Sequence, residues 1–422
     1  MKRRQFIQAA GAALISGAAS AQTPKSARAK VVVIGGGYGG ATAAKYIRMW
    51  SGHAIDVTLI EPEASFISCP LSNLVLGGSK QMADITLSYD NLARRHGVTV
   101  VRDMAQSIDA DKRLVKLAGG KEMPYDRLIV SPGIDFIWDA LPGMKQGDAQ
   151  TKVLHAWKAG PQTIALRKQL EAMADGGAYV MSVPQAPYRC PPGPYERACQ
   201  IAHYFSLVKP KSKVILLDGN DDVTSKGPLF KKIWADRYKG IIEYRPQFKA
   251  VDVDAATRTV ISELGDKVQA DVLNVIPPHR AGLIAAQTGL ANSNKRWCEV
   301  DFLTFESTQA KSIHVLGDAI QTAPLMPKSA HMANQHAKAC AAAVVDLLND
   351  RPPNPQPMLT NTCYSFVSDK EVIHVASVHR YEADKKTLIV VSGSGGVSIG
   401  ATTLEGEYAL GWARNIWADS LM

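Results

Sequence analysis

The sequence predicts an α/β fold of two Rossmann-like dinucleotide-binding domains, the second lacking the glycine motif, followed by a smaller α+β C-terminal domain. Three observations carry that prediction. A β-branched run, a glycine turn and a helical run open the fold over 30–50, "KVVVIGGGYGGATAAKYIRMW". A second pattern of strand, turn, helix and strand starts near residue 178, with "AYVMSV" and "KVILLDGN" as its strands. A proline linker, "RPPNPQP" at 351–357, then sets off a final stretch with strands such as "KTLIVVSG".

The first unit holds the strongest motif. Gly35, Gly37 and Gly40 match G-x-G-x-x-G after a strand and at the opening of a helix. Gly35 permits the tight turn, Gly37 lets a pyrophosphate approach the backbone, and Gly40 lets the helix pack on the strand. The helix N-terminus, with its free N–H groups and its dipole, favours an anion there. The next strand, "DVTLIEP", ends in Glu61, where a carboxylate can accept hydrogen bonds from both ribose hydroxyls.

Two later segments point to FAD as the dinucleotide of this domain. "EMPYDRLIVSPGIDF" ends a strand at Ser131-Pro132-Gly133, similar to the T-x-G-type motif of flavoproteins with two dinucleotide domains. "SIHVLGDAI" resembles the late strand of the same flavoproteins, ending at Gly317-Asp318, and the resemblance implies that Asp318 binds the ribityl chain. The helix that Lys328 introduces would aim its positive end at the flavin pyrimidine and stabilise a reduced, anionic flavin. The FAD domain is therefore expected over 28–150 and 285–350, interrupted by the middle domain at 151–284. The C-terminal domain covers 351–422.

Composition and the N-terminus narrow the class. "MKRRQFIQAAGAALISGAASAQT" has a basic start, a short apolar stretch and an A-x-A site at Ala19-Ser20-Ala21, the signature of an export signal over 1–21. Arg3-Arg4-Gln5-Phe6-Ile7 reads as a twin-arginine signal, so a periplasmic location is expected. Loss of this segment removes Lys2, Arg3 and Arg4 and lowers the net charge from +9 to +6. Without a dense Lys/Arg run, nothing marks a nucleic-acid surface. No segment reaches the roughly 18 apolar residues of a transmembrane span. Six cysteines in 422 residues are too few for a disulfide scaffold, and no C-x-x-C-H sequence offers a haem site on this chain.

In the middle unit the expected glycine turn is replaced by "VPQAPYRCPPGPYERA" at 183–198. Prolines give a pyrophosphate no N–H donors and cannot adopt the positive φ of glycine. The unit is expected to keep its fold and to have no NAD(P) site. Cys190 then stands where a nicotinamide would meet the flavin, on a backbone stiffened by its neighbours.

With these residues in place, the sequence resembles the flavoprotein subunit of flavocytochrome c sulfide dehydrogenase, within the wider group that includes the sulfide:quinone oxidoreductases. The resemblance spans roughly 28–422. It implies a redox disulfide beside the flavin, for which Cys190 in "YRCPPGPYE" and Cys363 in "LTNTCYSFVS" match the two positions. It implies FAD joined covalently by a thioether to Cys69 in "SFISCPLSNLVLGG". It also implies sulfide as substrate and a separate c-type cytochrome subunit as partner. Sulfide would attack the disulfide and leave a persulfide on one cysteine, with Arg189 and Lys328 as candidate cations for the released thiolate.

Other residues carry weaker claims. Cys199 and Cys340 read as core, and Cys298 has no assigned role. Glu196 reads as a solvated helix acid in preference to a base. His155 and Trp157 belong either to the cofactor lining or to a domain junction. His331 and His336 have no further ligand near them in sequence, so no metal site is expected. Two alternative functions stay open: a quinone in place of the cytochrome, and a flavin-bearing partner that reactivates a sulfur-carrier protein. The missing second glycine motif speaks against an NADH-dependent disulfide reductase.

Overall fold

The computed structural model describes residues 28–422; the export signal expected over 1–21 lies outside them. Its first sheet has five parallel strands in the order Ile313–Val315, Arg127–Val130, Lys30–Ile34, Asp56–Ile60, Thr99–Val101. Val31 to Ile34 are all buried, as a parallel sheet covered on both faces requires. The register pairs Ile34 with Val130 and Val130 with Val315. The Gly35 turn, the Ser131–Gly133 turn and Gly317-Asp318 therefore leave the sheet along one edge. Ligands of open α/β sheets bind at that edge, outside the carboxyl ends of the strands.

The middle domain repeats the plan with four parallel strands in the order Ile242–Arg245, Lys213–Asp218, Ala178–Val183, Val272–Val275. Val183 pairs with Asp218, so the proline-rich turn leaves this sheet at its ligand-facing edge as well. Leu141, Met144 and Val153 pack into this domain's core with Val180, Leu217 and Val275. Strands Ile134–Phe136 and His279–Ala281 pair antiparallel where the chain crosses between the domains. The chain crosses between the domains at this ribbon, before residues 150 and 285, where the motif segments put the boundaries.

The C-terminal domain is an antiparallel sheet of Met358–Phe366, Val372–Glu382 and Thr387–Val390, closed by the helix Thr403–Leu421. Thr402 caps that helix by accepting the Glu405 N–H at 3.1 Å. The helix docks on the glycine-loop helix Tyr38–Trp50. Thr42 Oγ1 donates to Ser420 Oγ at 2.9 Å, and Lys45 Nζ donates to the carbonyls of Ala418 and Asp419, each at 3.0 Å. Among the described residues, no helix is long and apolar enough to cross a membrane.

Candidate active site

The dinucleotide cradle follows from three glycines with three different constraints. Gly35 has φ +94°, and a Cβ there would stand 2.3 Å from the Ser131 carbonyl oxygen. A Cβ on Gly40 would stand 1.8 Å from the Gly35 carbonyl oxygen. Gly37 is different, since a Cβ on it would meet no protein atom within 4 Å. The first two glycines serve the turn and the helix–strand contact; Gly37 leaves room for a ligand. Glu61 Oε2 accepts the Gly36 N–H at 2.6 Å and Oε1 accepts the Glu63 N–H at 2.9 Å, which fixes the carboxylate at the loop. Gly133 takes φ +63°, and Ser131 N–H donates to the Ile34 carbonyl at 2.8 Å.

Asp318 adds a test of fit. Its Oδ1 is buried without a hydrogen-bond partner, although buried polar atoms are nearly always satisfied. Burial raises its pKa, while Arg189 and Lys328 pull it down. A hydroxyl donor on a ligand would complete this oxygen. The glycine loop, the Ser131–Gly133 turn and the Asp318 oxygen together fit FAD.

Cys69 is partly buried beside the cradle. Its carbonyl accepts from Ser72 N–H at 3.1 Å and from Ser72 Oγ at 2.7 Å. The preceding residue, Ser68, places its Oγ 2.6 Å from Tyr38 Oη, and Tyr38 is the first residue of the glycine-loop helix. Trp417 Nε1 donates to the same Tyr38 oxygen at 3.0 Å, so the C-terminal helix is tied to the Cys69 loop.

The two remaining candidate cysteines come from different domains into one neighbourhood. Cys190 has φ +59°, its N–H donates to the Lys328 carbonyl at 2.8 Å, and its carbonyl accepts from Gly193 N–H at 2.9 Å. A Cβ on Gly193 would lie 2.9 Å from Cys190 Sγ and 2.8 Å from the Trp157 ring, so the Trp157 indole borders this sulfur. Cys363 lies on the strand Met358–Phe366, opposite Val375. Asn361 Nδ2 reaches its Sγ at 3.4 Å, and Asn361 is in turn held by Ser329 Oγ at 2.7 Å. Both thiols are free in the structure. Burial pushes both pKa values up, and the next contribution for Cys190 is the charge of Cys363.

Two buried charges beside the pair were not read from the sequence. Glu196, expected to be solvated, is buried and accepts from Asn73 Nδ2 and from the Phe366 N–H, each at 2.9 Å. The helix Gly193–Val208 is buried nearly all round at its start, so its first-turn acid faces protein. Burial raises the Glu196 pKa, against the pull of its hydrogen bonds and of Lys226 and Arg197. Lys226 is the second charge, buried with φ +57°. Its Nζ donates to the Cys363 carbonyl at 3.0 Å and to Ser365 Oγ at 2.7 Å. No local pattern in "DDVTSKGP" announces it, because its partners lie 137 and 139 residues away.

Lys328 is placed differently from the sequence expectation. Its Nζ donates to the carbonyls of Asp318 at 2.9 Å and Ile320 at 2.6 Å and stacks over the Trp297 ring at 3.6 Å. Burial lowers its pKa to about 7. It shapes the Asp318 turn and, through its carbonyl, the Cys190 turn; the cations that act on Cys190 are Arg189 and Lys226. Cys298 is buried between Trp297 and the Asp318 turn, its N–H donating to Ala319 at 3.0 Å. His155 packs against Phe136 and Trp138, and His336 against Phe305. No cluster of metal-ligating side chains occurs among the described residues.

Asp218 ends the second strand of the middle sheet, where an acid in a nucleotide-binding unit would meet a ribose. Here its carboxylate is taken up by the protein. Tyr195 Oη donates to Oδ2 at 2.7 Å, and Asn220 Nδ2 donates to Oδ1 at 2.7 Å.

The chain matches three family models. Residues 163–277 match the family model "Sulfide dehydrogenase [flavocytochrome c] flavoprotein chain, central". Residues 355–421 match "Flavocytochrome c sulphide dehydrogenase, flavin-binding", and 29–168 match "Pyridine nucleotide-disulphide oxidoreductase". The mitochondrial sulfide:quinone oxidoreductase of Mus musculus is 24% identical over 338 residues, covering 76% of this chain and 72% of that one. The flavocytochrome c sulfide dehydrogenase flavoprotein chain of Chlorobaculum thiosulfatiphilum is 54% identical over 46 residues, 11% of this chain and 94% of that sequence. The crystal structure of the sulfide:quinone oxidoreductase from the hyperthermophilic bacterium Aquifex aeolicus has the same fold, with a TM-score of 0.77 at 18% identity, covering 93% of this chain and 91% of that one. The chain thus belongs to the flavocytochrome c sulfide dehydrogenase flavoproteins, FAD-dependent sulfide-oxidising oxidoreductases related to the sulfide:quinone oxidoreductases.

Proposed function

We propose that this chain is the flavoprotein subunit of a periplasmic sulfide dehydrogenase, which oxidises sulfide through a Cys190–Cys363 disulfide and passes electrons to a c-type cytochrome. The observation that carries the reading is that Cys190 and Cys363, 173 residues apart in sequence, are tied to adjacent residues: the Cys190 N–H bonds to Lys328, and the Cys363 sulfur touches Asn361, which Ser329 holds. HS⁻ attacks one sulfur of the disulfide; the sulfur–sulfur bond breaks, a new one forms to the incoming sulfur, and the electron pair leaves on the other cysteine. Arg189 and Lys226 stabilise the thiolate so formed, and Glu196, with its raised pKa, is the nearby group able to hold the proton from sulfide. FAD, when bound, accepts electrons in pairs and releases them singly, which suits a haem acceptor. The geometry at Asp218 supports an enzyme that does without NAD(P).

Attachment of FAD through Cys69 is part of the same reading, supported by the hydrogen bond that holds the adjoining Ser68 against Tyr38 at the start of the glycine-loop helix. The flavocytochrome-type matches in two domains favour the cytochrome. The longer alignment with sulfide:quinone oxidoreductases favours a quinone instead. Sulfide-driven reduction of a c-type cytochrome and of a short-chain ubiquinone by the purified holoprotein separates the two. Faster cytochrome reduction is expected, with flavin retained on a Cys69 peptide after acid denaturation. Quinone reduction alone, with flavin released into the supernatant, would overturn the cytochrome reading.

A further inference from the structure

The two cysteines are not equivalent, and the difference lies in what surrounds each sulfur. Cys363 Sγ has a hydrogen-bond donor, Asn361 Nδ2, and the Lys226 ammonium is anchored on the carbonyl of the same residue at 3.0 Å. Cys190 has no hydrogen bond to its sulfur among the described residues, and the Glu196 carboxyl, which accepts the Phe366 N–H on the Cys363 strand, bears on both sulfurs. Lys226 donates only to neutral acceptors, the Cys363 carbonyl, Ser365 Oγ and the Ile373 carbonyl at 3.4 Å. A buried ammonium with no carboxylate in contact is costly, which makes its place behind one thiol informative. It also bridges domains, from the loop before the helix Gly227–Arg237 to the strands that carry Cys363.

We propose that Lys226 is a positioning residue that holds a positive charge behind Cys363, so that Cys363 is the thiolate released and Cys190 the cysteine that takes the sulfur. In that step the bond between the two Sγ atoms breaks, a bond forms between the sulfide sulfur and Cys190 Sγ, and the electron pair departs on Cys363 Sγ. The incoming sulfur is oxidised and the Cys363 sulfur reduced; the proton of HS⁻ stays on the persulfide or passes to Glu196. Besides Lys226, the groups whose charge bears on this pair are Glu196 from the helix Gly193–Val208 and Arg189 from the proline-rich turn; Glu405 from the last helix bears on Lys226 itself. Glu405 is engaged with His374 at 3.0 Å; it and Glu196 favour the charged form of Lys226, against the burial that lowers its pKa to about 8.

The inference rests on the proposed function, but its test does not need turnover. The dithiol holoprotein is treated with iodoacetamide across pH 6–10, and alkylation of Cys363 and of Cys190 is followed separately by peptide mass spectrometry. In Lys226→Met, the alkylation midpoint of Cys363 is expected to rise by about one pH unit or more, a tenfold loss of thiolate at neutral pH. The Cys190 midpoint moves less, and Lys226→Arg restores the original order. Flavin content and the far-ultraviolet circular dichroism spectrum identify the folded protein; if Lys226→Met does not fold, Asn361→Leu and Lys226→Gln read the same asymmetry. An unchanged Cys363 midpoint in folded variants, or an equal shift of both cysteines, overturns the inference. A wild-type protein that fails to react with sulfide while showing the shift would sink the proposed function and leave the Lys226 assignment standing.

Discussion

Cys190 holds its sulfur on a left-handed backbone, a conformation that costs a non-glycine residue about 1–2 kcal/mol. The turn keeps it there with two backbone hydrogen bonds and with prolines on the helix side. Alanine at 190 meets the same backbone penalty and breaks no hydrogen bond, so Cys190→Ala is expected to fold and retain FAD while sulfide no longer reduces the flavin. Flavin absorbance before and after anaerobic sulfide addition checks both statements. At this scale the sequence showed what was local. The cysteines were readable from their flanking motifs and the glycines from their spacing. Glu196 and Lys226 were not, because each is buried by residues from another domain: Glu196 by Phe366, and Lys226 by the Cys363 strand.

The glycine loop makes a prediction at the scale of the element. Gly40→Ala drives a Cβ to 1.8 Å from the Gly35 carbonyl, where only backbone movement gives relief. Overpacking of that kind typically costs about 1–3 kcal/mol, and a lowered melting temperature with lost flavin is expected. Gly37→Ala has open space and an N-cap backbone at φ −68°, so the apoprotein should keep its melting temperature while flavin content falls. Thermal melts of both apoproteins, with flavin content after reconstitution, check the contrast. If Gly37→Ala binds FAD normally, the ligand does not pass over that residue. This element was fully legible because strand, turn and helix are contiguous. The domain crossings were less so: Leu141 and Met144 look like a tail of the first domain, and only the pairing of Ile134–Phe136 with His279–Ala281 shows where the chain leaves it.

At the scale of the whole molecule, buried histidines set the acid limit. Burial lowers the pKa of His155 and His336 to about 3 and of His314 and His331 to about 4, and it holds His279 well below the usual value. In the unfolded chain these rings titrate near the ordinary value of about 6.5. Between the two values the unfolded state binds more protons, so stability falls as pH drops below about 6.5 and continues to fall toward 4. Each ring adds a slope of up to about 1.4 kcal/mol per pH unit. The raised carboxyl pKa values of Glu196, Asp218 and Asp318 oppose this from the ordinary carboxylate value of about 4 upward, until each group's raised folded pKa is passed, because there the folded state holds the extra protons. Urea denaturation between pH 7.5 and 5 should therefore show a steady loss of stability; a flat profile would mean these rings are not buried as neutral groups.

The FAD domain presents the cradle, the middle domain Cys190 and the C-terminal domain Cys363, and the proposed function draws on all three. Sulfide oxidation through that pair is tested most directly by rapid mixing of anaerobic sulfide with oxidised wild-type, Cys190→Ala and Cys363→Ala holoproteins, following flavin absorbance. Fast bleaching in the wild type and a loss of about a hundredfold or more in both variants, each with its FAD still bound, is the predicted result. Bleaching at the wild-type rate in either variant would contradict the account, since sulfide would then reach the flavin without the disulfide.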